Sequence, residues 1–223
     1  MMLLDALALP APGAAPPTRV RGPAGVIEIA WTLPKGDPRG LALVAHPHPL
    51  FGGALSNKVT YMLAAQAARR GLAALRFNFR GVGASEGVHG AGLSETDDAE
   101  ALARALQAAA PGRPLFLLGF SFGAFIQLRV AERLPVAGVL TVAPPLRKYL
   151  DLPPPQRPQA PWWWLHSRDD EIVAYADTAA LMQAYRPPPE ACVVDGAGHF
   201  FHGKLEWVQQ TVDAFLSSCL PSD

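Results

Sequence analysis

Leu115-Phe116-Leu117-Leu118-Gly119-Phe120-Ser121-Phe122-Gly123 runs from a short apolar stretch straight into a Gly-x-Ser-x-Gly turn. The stretch Ala124 to Leu134 that follows is compatible with a helix. A strand, a sharp turn and a helix in this order lift the serine hydroxyl clear of the end of a sheet. Glycine is needed on either side because a Cβ there collides with the packed strand and helix. Ser121 is therefore read as a nucleophile, although five letters alone are a weak signal.

Outward from this turn the chain alternates. Leu41 to Ala45, Leu72 to Phe79, 115–119, Val136 to Val142, Trp162 to His166 and Ala191 to Val194 read as strands. Asn57 to Arg70, Ser94 to Ala110, Tyr175 to Tyr185 and Leu205 to Ser217 read as helices. Such alternation predicts a mostly parallel sheet covered by helices on both faces. Thr18 to Arg21 and Val26 to Thr32, around Gly22-Pro23-Ala24-Gly25, predict an antiparallel strand pair ahead of it. Ligands of such sheets bind beyond the carboxyl ends of the strands. Ser121, Asp170 and His199 each follow a predicted strand, so all three fall on that side.

The 223 residues suit one domain, with half of them hydrophobic and 17% charged, as in a packed globular protein. Nineteen basic residues balance nineteen acidic ones without a cluster, so nucleic acid and anionic membranes are not expected partners. No apolar run is long enough to span a bilayer. Residues 1–17 lack the basic start of a signal peptide, and Asp5, Pro10, Pro12, Pro16 and Pro17 interrupt them. They are expected to form a loosely ordered lead-in to a domain spanning 18–223. The two cysteines, Cys192 and Cys219, do not make a disulfide framework, which fits a cytoplasmic protein.

The motifs resemble those of small, lidless bacterial α/β-hydrolases of the dienelactone-hydrolase-like or esterase-like kind. The resemblance runs from about Thr18 to Leu220. It rests on His46-Pro47-His48-Pro49-Leu50-Phe51-Gly52-Gly53, Asn78-Phe79-Arg80-Gly81-Val82-Gly83-Ala84-Ser85, Gly119 to Gly123, Asp170-Glu171-Ile172-Val173 and Gly196-Ala197-Gly198-His199-Phe200-Phe201. It implies the α/β-hydrolase fold without a lid domain, a catalytic triad, an oxyanion hole and no cofactor. The chain order Ser…Asp…His is that of the family. Two departures stand out: Pro47 where many relatives have glycine, and Ala174 where proline is common.

On this reading Ser121 attacks, His199 is the general base, and Asp170 orients it. His202 is a rival base three residues on, and Asp169 a rival orienter beside Asp170. The bland alternative for Asp169-Asp170-Glu171 is a solvated acidic turn. His166 reads as a hydrogen-bonded structural residue. The oxyanion hole is expected to use the Phe122 amide and one from the loop after 41–45. Pro47 and Pro49 have no N–H, leaving His48 and Leu50, of which His48 is favoured. Phe51, Phe120, Phe122 and Phe200 are candidates to line a substrate pocket. His46-x-His48 lacks a third ligand, so no metal site is expected. Pro144 to Pro161, with Pro153-Pro154-Pro155, is too short and proline-rich for a helical lid.

The expected function is serine hydrolysis of small carboxylic esters of short acyl chains through an acyl-enzyme, by a monomer or homodimer. Thioester or small-peptide amide hydrolysis would use the same triad. A non-catalytic binding protein on this fold is the alternative of another class.

Overall fold

The structure, a computed structural model, describes residues 2–4, 7–11, 16, 18–147 and 152–220. Strands in chain order are β1 (Met2–Leu3), β2 (Arg19–Gly22), β3 (Gly25–Thr32), β4 (Gly40–Ala45), β5 (Leu72–Phe77), β6 (Leu115–Phe120), β7 (Gly138–Val142), β8 (Trp162–Ser167) and β9 (Glu190–Val194). The helices are α1 (Lys58–Arg69), α2 (Leu93–Ala109), α3 (Phe122–Ala131), α4 (Tyr175–Ala184) and α5 (Leu205–Cys219).

The strands form one sheet in the order β1-β2-β3-β5-β4-β6-β7-β8-β9. From β5 to β9 every neighbour is parallel, while β3 joins β5 and β2 joins β3 antiparallel. β4, β5, β6 and β7 are buried at every residue, which is why their sequences are continuous apolar runs instead of alternating ones. One layer of core packs α2, α3 and α4 on the sheet, and the other packs α1 and α5.

The chain leaves β4 for β5 on one side and later returns to place β6 on β4's other side. This reversal opens a crevice beyond the carboxyl ends of β4 and β6. Their register pairs Ala45 with Gly119. The residue before His46 thus lies beside the residue two before Ser121. Gln127 of α3 reinforces the same seam: its buried Nε2 donates to the carbonyls of Leu43 and Leu118, at 2.8 and 3.2 Å.

Three features stand at the edges of the sheet. Of the lead-in, Met2–Leu3 pairs with Val20 and Arg21 in the sheet, and Leu7 is buried against the core. β9 is an edge strand with no fully buried residue, so Cys192 is only half-buried. Of Pro144 to Pro161, Lys148 to Asp151 lie outside the described residues; the rest contains no helix. That rest is tied down, with the Tyr185 hydroxyl donating to the Pro155 carbonyl at 2.7 Å.

Leu118 is fully buried at the centre of β6. Leu118→Ala is expected to cost about 3 kcal/mol. Calorimetry should record a fall in Tm of roughly 6–12 °C for a chain of this size.

Candidate active site

Ser121 has φ 53° and ψ −120°, a conformation that costs a non-glycine residue about 1–3 kcal/mol. Its neighbours hold it there. The Ser121 amide donates to the Val142 carbonyl at 2.8 Å, and the Ser121 carbonyl accepts from Ala124 at 2.9 Å. A Cβ on Gly119 would lie 2.5 Å from the Gly123 carbonyl oxygen and 2.6 Å from the Ala124 nitrogen. A Cβ on Gly123 would lie 2.6 Å from the His46 carbonyl oxygen. The glycines are thus required by close backbone approach at both ends of the turn.

The structure brings Ser121, His199 and Asp170 together, all nearly buried. The Ser121 Oγ is 3.0 Å from His199 Nε2, and His199 Nδ1 is 2.8 Å from Asp170 Oδ2. A carboxylate only accepts, so Nδ1 carries the proton and Nε2 is left to receive the serine hydroxyl's. The other Asp170 oxygen accepts from the amides of Ile172 and Val173, at 2.9 and 2.7 Å. Burial pushes the Asp170 carboxyl up. The hydrogen bond and charge of His199 and these two amides outweigh it, and hold the group below the usual carboxylate range. His166 Nε2 lies 2.9 Å from the Val173 carbonyl and 3.5 Å from Asp170 Oδ2, a structural place behind the acid. His202 is exposed and joins neither pair.

Asp169 and Glu171 are exposed, yet each also binds the loop that carries His199. The Asp169 carboxylate accepts the Gly196 amide at 2.7 Å, and that of Glu171 accepts the His199 amide at 3.0 Å. The Ser167 hydroxyl donates to the Ala197 carbonyl. Three consecutive carboxylates and one hydroxyl therefore grip the loop that carries His199. A Cβ on Gly198 would lie 2.7 Å from the Glu171 carboxylate and would push it off the His199 amide. Sequence reasoning missed the roles of Ser167, Asp169 and Glu171; the only signal for the two acids was a glycine, Gly196 at the amide that Asp169 binds and Gly198 one residue before the amide that Glu171 binds.

The loop after β4 is equally constrained. His46 is fully buried, with Nδ1 2.6 Å from the Pro47 carbonyl and Nε2 accepting the Phe79 amide at 3.0 Å. Both nitrogens of the neutral ring are thereby used. Burial lowers its pKa to about 4, against a smaller upward pull from the Pro47 carbonyl. Arg76 and Asn78 clamp the next residues: Leu55 donates to Asn78 Oδ1 at 2.7 Å and accepts from Arg76 Nη1 at 2.8 Å. The Leu50 amide donates to His48 Nδ1 at 3.2 Å, while the amides of Phe51 and Gly53 donate to the His48 carbonyl. The Leu50 donor is therefore engaged within its own turn. The His48 ring stands 5.0 Å from that of Phe122, so the two residues proposed to supply amides are side by side.

The aromatic expectations divide. Phe51 is 85% exposed and Phe200 41%, both at the mouth of the site. Phe120 is fully buried and lies under His199, its ring centroid 4.9 Å away. The expectation that Phe120 contacts substrate is corrected: β6 turns it inward, where it supports the imidazole. Phe122 is buried too, edge-on to Phe79. Among the described residues no group of three or more His, Cys, Asp or Glu could hold a metal ion.

Two measurements follow from these contacts. His46 has a lower pKa folded, about 4, than the roughly 6.5 of an unfolded imidazole. The unfolded chain takes up the proton first. The stability from neutral His46 is full above about pH 6.5 and is lost as pH falls towards 4, by about 3 kcal/mol. Denaturant titrations at pH 7 and 4.5 should show a smaller loss for His46→Gln than for the parent. Glu171 is exposed, so Glu171→Ala should leave the unfolding midpoint unchanged. Hydrogen exchange at the His199 amide should quicken by about ten-fold once its acceptor is gone.

A family model described as serine aminopeptidase, S33, matches residues 50–157, a span that holds Ser121 and ends before Asp170 and His199. An uncharacterized protein of Rickettsia prowazekii is 34% identical over 205 residues, covering 87% of this chain and 86% of that one. A Xanthomonas campestris α/β serine hydrolase without a lid is 32% identical, with TM-score 0.84 over 92% of this chain and 94% of that one. An α/β serine hydrolase homologue from Coxiella burnetii is 35% identical, with TM-score 0.82 over 88% and 94%. With its sheet order, its serine turn and these relatives in hand, the chain belongs to the small, lidless α/β serine hydrolases.

Proposed function

We propose that the protein hydrolyses small carboxylic esters through an acyl-enzyme. The observation that carries this reading is the continuous hydrogen-bonded line from Ser121 Oγ through His199 to Asp170, at 3.0 and 2.8 Å. His199 Nε2 takes the hydroxyl proton as Ser121 Oγ bonds to the ester carbonyl carbon. The negative charge that develops on the carbonyl oxygen meets the amides of Phe122 and His48. His199 then gives its proton to the leaving alkoxide, and the alcohol departs. Water repeats the sequence on the acyl-serine and releases the acid. Asp170 keeps His199 in the productive tautomer and offsets the imidazolium charge throughout.

The rim supports an apolar substrate. Leu50 and Phe51 after β4, Val88 and Leu93 after β5, Ile172 after β8 and Phe200 after β9 are all exposed at the carboxyl end of the sheet. No helical cap covers them among the described residues. We infer an open, shallow site for dissolved esters with acyl chains of about C2–C6. The free thiols Cys192 and Cys219 suit work in the cytoplasm, by a monomer or homodimer. The aminopeptidase description of the matching family model favours one second reading, amide hydrolysis by the same triad.

A fluorophosphonate should label the chain one-to-one at Ser121. Ser121→Ala should lose label and reduce turnover of an activated ester on the order of 10³-fold with the fold intact. Asp170→Asn should fall by a similar factor and Asp169→Asn by about ten-fold or less, since Asp169 holds only the loop. Matched p-nitrophenyl esters and p-nitroanilides across acyl lengths separate the two readings. Faster anilide than ester turnover, or a jump in rate on emulsification, would overturn the small-ester reading.

A further inference from the structure

We propose that His89, held by Glu95, is a second imidazole–carboxylate pair at the site, and that it hydrogen-bonds a hydroxyl on the acyl group of the substrate. The inference rests on the ester reading above and deepens it. His89 lies in the loop from β5 to α2, outside the triad. Its Nδ1 is 2.8 Å from Glu95 Oε1. Glu95 has no solvent exposure, and its carboxylate also accepts the amides of Gly90 and Gly92, at 2.8 and 2.9 Å. A fully buried carboxylate needs such donors, and they fix it in place. A carboxylate oxygen 2.8 Å away puts the neutral ring's proton on Nδ1, although that N–H does not line up on the oxygen as a hydrogen bond. Nε2, at the other edge of the imidazole, is then an acceptor, the same polarity that His199 presents to Ser121.

His89 is also placed where an acyl group goes. Its ring centroid is 5.0 Å from that of His48 and 5.7 Å from that of Phe122. These are the two residues whose amides face the developing oxyanion in the proposed mechanism. In the sheet, β6 with Ser121 stands between β5, which leads to His89, and β8 and β9, which lead to Asp170 and His199. The leaving oxygen must lie within reach of His199 to be protonated. The acyl arm of the same carbonyl then points away from His199, towards the β5 side. Most of that rim is apolar, with Val88 79% and Leu93 50% exposed. One acceptor in an apolar surround selects a hydroxylated acyl chain over a plain one, because the plain chain leaves the acceptor unpaired.

The test uses the full chain with p-nitrophenyl butyrate and p-nitrophenyl 3-hydroxybutyrate. The parent should favour the hydroxy ester in kcat/KM by about ten-fold or more. His89→Phe keeps a ring against His48 and Phe122 and removes the acceptor. It should bring the ratio to about one through the KM of the hydroxy ester, with the plain ester changed by less than about three-fold. His89→Gln, which restores an acceptor, should recover part of the preference. An unchanged ratio in His89→Phe, or an equal loss on both esters, overturns the proposal. Ser121→Ala protein titrated with 3-hydroxybutyrate and with butyrate reads the same contact without turnover. Tighter binding of the hydroxy acid that vanishes in the His89→Phe background supports the assignment, and equal binding overturns it. If neither ester is hydrolysed, the ester reading fails and this titration still decides the role of His89.

Discussion

The whole site depends on how closely the first turn of α3 approaches the end of β4. Gly123 sits against the carbonyls of Ala45 and His46 with no room for a Cβ. That contact sets Phe122 beside His48 and leaves Ser121 at the top of the turn, in a backbone conformation it would not choose alone. The β4–β6 ladder, Gln127 beneath it and the Val142 carbonyl supply what the strain costs. A fold assembled around a parallel pair of buried strands is suited to this, because neither strand can shift without breaking its ladder on both sides.

The alternation of strands and helices was legible in the sequence because each parallel strand is buried on both faces and so reads as an apolar run. Ser121, His199 and Asp170 were legible because glycine marks two of their loops and each follows such a run. Strand order was not, since nothing in β4 or β6 says which neighbour it takes. Nor was the inward turn of Phe120: the sequence places it one residue before the nucleophile but cannot show which face of β6 it occupies. The Met2–Leu3 edge strand was hidden by prolines that suggest a loose segment. The sequence leaves both His48 and Leu50 as donors, and only the fold shows the Leu50 amide bound to His48 Nδ1.

The acidic run Asp169-Asp170-Glu171 is the clearest case of what sequence conceals. Charge composition makes it a solvated turn, and spacing makes one of its members an orienting acid. In the fold each of the three carboxylates has a different partner on one loop: the Gly196 amide, the His199 ring and the His199 amide. Adjacent like charges are tolerable there because each faces its own donor.

The two halves of the site are therefore anchored by different physics. The Ser121 half belongs to the most deeply buried strands, whose opening requires global unfolding. The His199 half hangs from a half-exposed edge strand and is fixed by carboxylate–amide bonds near the surface. Regions with few buried contacts open at lower free energy than the core. Mild denaturant should thus carry His199 away from Ser121 while the sheet is still intact.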